Sequence, residues 1–165
     1  MQKEYMLLIN RYFTPFAIVL IGSALVFVRF ETYIYRIVLS LLGLSIVLNV
    51  VTALLIQKKN EWAKTIGSFR LAANLIFNIL FMYYLGSFWG PLWILFLLTP
   101  VATGLYSTRK VTLAVSISVA ALLLVIYGLR GMHGIVGWGQ TSIHAVFIVF
   151  ISMFVNSLSR LIRGT

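Results

Sequence analysis

The sequence predicts an all-α, polytopic membrane protein: a bundle of six transmembrane helices with both termini in the cytoplasm. Three observations predict it. The 165 residues are 61% hydrophobic with a mean hydropathy of +1.03, more apolar surface than a soluble domain of this size can bury. Only 10% of residues are charged. These charges cut the chain into stretches near the ~20 apolar residues that cross a bilayer core of ~30 Å.

Span 1, about 12–28, is closed by Arg29, Glu31 and Arg36. Span 2, 37–56, is closed by the polar run QKKNEWAK at 57–64. Span 3 covers about 66–85. The turn GSFWGP at 86–91 follows, with Pro91 suited to the first position of a new helix. Span 4 covers about 91–107 and stops at Arg109 and Lys110; span 5 is 111–129. The loop RGMHGIVGWGQ at 130–140, with four glycines, reads as too irregular to span. Span 6 runs about 141–158, before Arg160 and Arg163. The connections are short, so residues 1–165 read as one transmembrane domain.

Orientation follows the excess of cytoplasmic basic residues. Lys3, Arg11, Lys58, Lys59, Lys64, Arg70, Arg109, Lys110, Arg160 and Arg163 fall on one side, ten in all, against three (Arg29, Arg36, Arg130) on the other. Tyr33, Tyr35, Tyr83, Tyr84, Phe88, Trp89, Trp93, Tyr127 and Trp138 sit near the expected outer ends, where amphipathic rings prefer to lie. The expected location is the cytoplasmic (inner) membrane of a bacterium or archaeon, without a cleavable signal.

Composition also excludes function classes. Cysteine is absent, which removes disulfides, iron–sulfur ligation and thiolate zinc sites. Aspartate is absent and the three acids are Glu4, Glu31 and Glu61, so paired-carboxylate catalysis and magnesium–phosphate chemistry have no residues to run on. No catalytic or metal-ligating residues are expected, and the chain reads as no enzyme. The net charge of +10 reads as topology and lipid contact rather than nucleic-acid binding. His133 and His144 raise haem ligation only weakly, because His133 falls in the glycine-rich loop and nothing else supports a metal.

Polar residues in hydrocarbon are costly and should face protein or a cavity. Arg70, Asn74 and Asn78 lie four apart on one face of span 3, with Arg70 expected to snorkel to the membrane end. Span 2 offers Ser45, Asn49 and Thr52. Span 4 offers Thr99, Thr103 and Ser107 around Pro100, and span 6 offers His144, Ser152, Asn156 and Arg160. Hydrogen-bonded links between helices are the first reading of these residues.

The segment YYLGSFWGPLW at 83–93 concentrates aromatic rings, glycines and a proline at the outer end of a helical hairpin. Its ordinary role is an interfacial belt. Its functional reading is a shallow site for a flat apolar ligand such as a quinone, lined by Asn74, Asn78, Gly86, Trp89, Pro91 and Trp93. Trp89 and Trp93 would stack the ligand from one helix face, and Asn78 or backbone N–H groups would bond a carbonyl.

These residues carry a resemblance. The stretch RLAANLIFNILFMYYL, the turn Gly86-Ser87-Phe88-Trp89-Gly90-Pro91-Leu92 and the following LLTPVATGLY resemble the membrane module of six-span sensor histidine kinases of the RegB type. That family carries a G-G-x-x-N-P-F turn between spans 3 and 4. Gly86 and Pro91 match it; Ser87, Gly90 and Leu92 depart from it. The resemblance covers spans 3 to 6 and implies quinone sensing at the turn, with span 6 running through NSLSRLIRGT toward a cytoplasmic kinase. The chain itself has no ATP-binding domain. The expected function is therefore a non-catalytic sensory domain, likewise a homo-oligomer in the bilayer. A small transport component is the alternative, since six spans of this length resemble in architecture the vitamin-binding subunits of energy-coupling-factor transporters.

Overall fold

The computed structural model describes residues 2–58, 62–86, 88–130 and 134–163, with side chains from Arg11 onward except at 63, 64 and 163. All regular structure among these residues is helical. The chain forms two compact units, Met1–Leu92 and Trp93–Thr165. The first contains α1 (Gln2–Phe27), α2 (Thr32–Lys58) and α3 (Ala63–Leu85), each packed on the other two. The second contains α4 (Ile94–Tyr106), α5 (Arg109–Leu129) and α6 (Ile135–Arg163), again each packed on the other two.

Four helical stretches among the described residues, Thr32–Lys58, Thr65–Leu85, Arg109–Leu129 and Ile135–Ile162, are long and apolar enough to cross a membrane. This is the signature of a membrane protein. Two further apolar stretches, Arg11–Phe27 and Gly90–Tyr106, are shorter.

The helices differ from the expected spans in three places. Helix α6 starts at Ile135 and takes Gly137 and Gly139 into its first turns, so half of the supposed glycine-rich loop is helical. Glycine is tolerated in membrane helices, where water does not compete for the backbone. Span 4 is split: a 3-10 turn, Gly90–Trp93, precedes a 13-residue α4. Arg70 is not a snorkelling end charge; it is 2% exposed. It lies on the same face of α3 as Asn74 and the buried Asn78, which draws it inward with them.

Small and polar residues share the buried helix faces with the apolar core residues Phe81, Phe96, Leu95 and Leu123. On α6 the buried positions are Thr141, Ala145, Ile148, Ser152, Asn156 and Ser159, three or four apart along one face. Four of these six are polar. The uncovered face carries Val146, Phe147, Phe150, Phe154 and Leu158. Helix α5 buries Thr112, Ser116 and Ala120 together with Val119, Leu123 and Ile126 and leaves Val111, Ile117 and Val125 outside. In hydrocarbon no hydrophobic force drives helices together, so small residues that permit close approach and polar groups that bond hold the interface.

Most hydroxyls on these faces turn back on their own helix. Thr103 donates to the Thr99 carbonyl, Thr112 to Thr108, Thr141 to Gly137 and Ser152 to Ile148, a back-bond that satisfies the hydroxyl without a partner helix. They contribute small volume instead. The closest approach is at Gly104, where a β-carbon would lie 3.0 Å from the Ser152 carbonyl oxygen and 3.4 Å from the Asn156 nitrogen. Both are backbone atoms and cannot swing aside. Gly104→Ala is therefore expected to destabilise the protein in detergent by about 1–3 kcal/mol, the usual cost of overpacking. Gly22→Ala, with nothing within 4 Å of the added carbon, should be neutral. Equal melting temperatures for the two variants would disprove the close α4–α6 contact.

Candidate functional site

Three polar or aromatic constellations stand out. The first joins α2 to α3. Asn49 Nδ2 donates to Asn74 Oδ1 and Asn74 Nδ2 donates to Asn49 Oδ1, both at 3.0 Å. The second hydrogen of the Asn49 amide reaches the Ser45 carbonyl at 2.9 Å. A reciprocal amide pair satisfies one N–H and the carbonyl oxygen of each side chain without water, which lowers the cost of burying them. Asn74 is thus bonded to another side chain. Asn78, one turn on, is buried.

The second constellation is aromatic and lies at the C-terminal end of α3. Trp89 stacks on Phe27 with centroids 6.1 Å apart and planes within 10°. Phe88 meets Phe30 edge-on at 5.3 Å. The Trp89 indole Nε1 is buried with no acceptor. Gly86 is required sterically: a β-carbon there would fall 2.5 Å from the Met82 carbonyl oxygen and 2.9 Å from its sulfur. Gly90, by contrast, has nothing within 4 Å. Pro91 is exposed in the 3-10 turn, and Ser87 lies outside the described residues.

The third constellation runs along α6. Near its start the His144 imidazole stacks on Trp93, 4.3 Å between centroids and 8° between planes. Its Nδ1 is buried without a partner. Twelve residues on, Asn156 Nδ2 donates to two carbonyls at the end of α4, Gly104 at 3.0 Å and Ser107 at 2.9 Å. Ser159 Oγ donates to Leu105 at 2.8 Å. The last carbonyls of a helix have no intrahelical donor; here α6 supplies three bonds to that end. The two acceptors also fix the amide orientation, since the opposite one would set Oδ1 against two carbonyl oxygens. Asn156 Oδ1 then points away, buried and without a donor.

Of the six residues expected to line a ligand site, Asn74 is paired to Asn49, Trp89 to Phe27 and Trp93 to His144. Because Gly90–Trp93 is a 3-10 turn, the α-helical spacing that would put Trp89 and Trp93 on one face does not apply. Residue spacing does not point to His144 as the partner of Trp93; His133, with which it could be paired as a metal ligand, lies outside the described residues. The spacing points to Arg160, which is exposed, rather than to Ser159. The buried stripe of α6 steps by three after Asn156, as in a heptad. Comparison with known protein families, curated proteins and solved structures finds no match.

The reciprocal pair has a measurable consequence. Asn49→Leu and Asn74→Leu should each lower stability in detergent by about 0.6–1.7 kcal/mol, the range for side-chain hydrogen bonds between membrane helices. The double variant should cost less than the sum, because each single change strands the other amide. Strict additivity would show that the two side chains do not interact.

Proposed function

We propose that the chain is a non-catalytic sensory domain of a bacterial or archaeal cytoplasmic membrane, with six transmembrane helices and both termini inside. It reads a flat apolar ligand of the quinone class at Trp93 and His144 and passes the signal out along α6.

What carries this reading is the reach of α6. One uninterrupted helix holds the His144–Trp93 stack near its start and the Asn156–Ser159 bonds to α4 further along, about 18 Å apart at 1.5 Å per residue. Its 29 residues extend about 43 Å, more than the ~30 Å hydrocarbon core. The surplus, with Arg160, can run on into the cytoplasm toward a kinase domain or a second copy of the chain. The resemblance of spans 3 to 6 to sensor kinases of the RegB type points the same way.

His144 offers the ligand a polar handle beside an aromatic face. A buried ring nitrogen without a partner costs about 1–3 kcal/mol, which a ligand hydroxyl or carbonyl would recover according to the tautomer. A ring inserted against Trp93 would displace the start of α6 relative to α4. The helix is stiff, so the displacement reaches the three hydrogen bonds at the other end. Helix shifts in switching proteins are about 1–2 Å, or one turn of 5.4 Å when a contact jumps.

The absence of native cysteine makes labelling direct. Nitroxides on Lys110→Cys and Leu161→Cys, both exposed, should change separation by about 1–5 Å on addition of decylubiquinone, and His144→Leu should remove the response. No change in the parent protein would overturn the sensory reading and favour a transport component. Tryptophan fluorescence should be quenched saturably by the same quinone, with the effect lost in Trp93→Ala and kept in Trp89→Ala. The reverse pattern would place the ligand at the Phe27–Trp89 stack. For topology, Lys58→Cys and Ile135→Cys should react with an impermeant thiol reagent from opposite sides; reaction from one side would disprove the orientation.

A further inference from the structure

We propose that the groove between α2 and α3 is a specific site for one anionic phospholipid, holding an acyl chain in the groove and the headgroup phosphate at Lys58. The groove has a volume of about 530 Å³ and is lined from α2 by Leu44, Val47, Leu48, Val51, Thr52 and Leu55 and from α3 by Thr65, Ile66 and Phe69. That volume is typical of ligand pockets, about 300–1,000 Å³.

Three features select the occupant. The first is polarity. The Thr52 hydroxyl at the groove is spent on the Leu48 and Asn49 carbonyls, at 2.7 and 3.2 Å. The remaining α2 lining is aliphatic, so that wall favours a hydrocarbon chain. The second is length. Leu44 to Leu55 spans about 16 Å at 1.5 Å per residue, close to half of the ~30 Å hydrocarbon core and so to one leaflet. The third is charge. Leu44, Leu48, Val51, Leu55 and Lys58 are three or four apart and share one face of α2, so Lys58, which is exposed, continues the groove by one turn. Just before α3, the exposed Trp62 stands four residues before Ile66 and seven before Phe69. An apolar channel one leaflet long, ending in a lysine and a tryptophan, is complementary to an acyl chain below a phosphate. Basic residues of this kind recognise anionic headgroups on the cytoplasmic side. This site is in the first unit and is independent of the sensory reading, which rests on the second.

Native mass spectrometry of the full chain, released from detergent with added phosphatidylglycerol or phosphatidylcholine, tests the proposal. Phosphatidylglycerol should be retained preferentially. Lys58→Ser should reduce that preference about fivefold, the factor one basic residue contributes near an anionic surface. Val51→Trp and Leu44→Trp should each abolish the retained lipid by filling the groove. Both positions are substantially uncovered, 47% and 57% exposed, so neither change disturbs a core contact, and unchanged helical content by circular dichroism would verify it. Equal retention of the two lipids, or retention that survives both groove-filling variants, would overturn the assignment.

Discussion

The second unit depends on how the end of α4 is satisfied. A helix leaves its last carbonyls without donors, and where they are buried they need a donor from the protein. Helix α4 is only 13 residues long, and Gly104, near its end, is buried. The donors come from Asn156 and Ser159 on α6. Everything near that contact is shaped to let α6 come close enough. Gly104 has no side chain because the Ser152 carbonyl occupies that space. Ser152, Thr112 and Ser116 are small, and their hydroxyls fold back on their own helices or local turns. The same bonds that stabilise α4 fasten it to α6.

The first unit solves the same problem with a side-chain pair. Asn49 and Asn74 close on each other, so neither α2 nor α3 brings an unmet amide into the membrane. The two solutions differ in what they permit. A reciprocal amide pair commits one N–H and one carbonyl of each side chain to the other. The α4–α6 contact leaves Asn156 Oδ1 without a donor, and the start of α6 leaves His144 Nδ1 without a partner. Both of these atoms are buried in the second unit. In the first unit Trp89 Nε1 and one guanidinium nitrogen of Arg70, Nη1, are buried in the same way.

Parts of this were legible along the chain and parts were not. Asn49, Asn74, Ser152 and Asn156 could be read as inward-facing because an amide or hydroxyl in an apolar span has few other places to go. Arg70 could not: a long cationic side chain near a span end can snorkel or turn inward, and only the residues packed around it decide. Ser159 and Arg160 are adjacent, and which one meets α4 depends on the winding of α6 against its neighbour, a property of the packed pair. The helix running through Gly137 and Gly139 was read as loop because glycine breaks helices in water, a cost that weakens where no water competes for the backbone.

The sequence by itself determined the class of object. Its hydropathy and the positions of its charges dictate apolar helices long enough to cross a membrane, because these depend on composition and local spacing alone. Tertiary structure decided the pairings. Trp93 meets His144, 51 positions away, Asn49 meets Asn74 across 25 positions, and Asn156 meets Gly104 across 52. No local rule relates residues so far apart. Their encounter depends on helix rotation and register, which are set by summed contacts over whole helix faces.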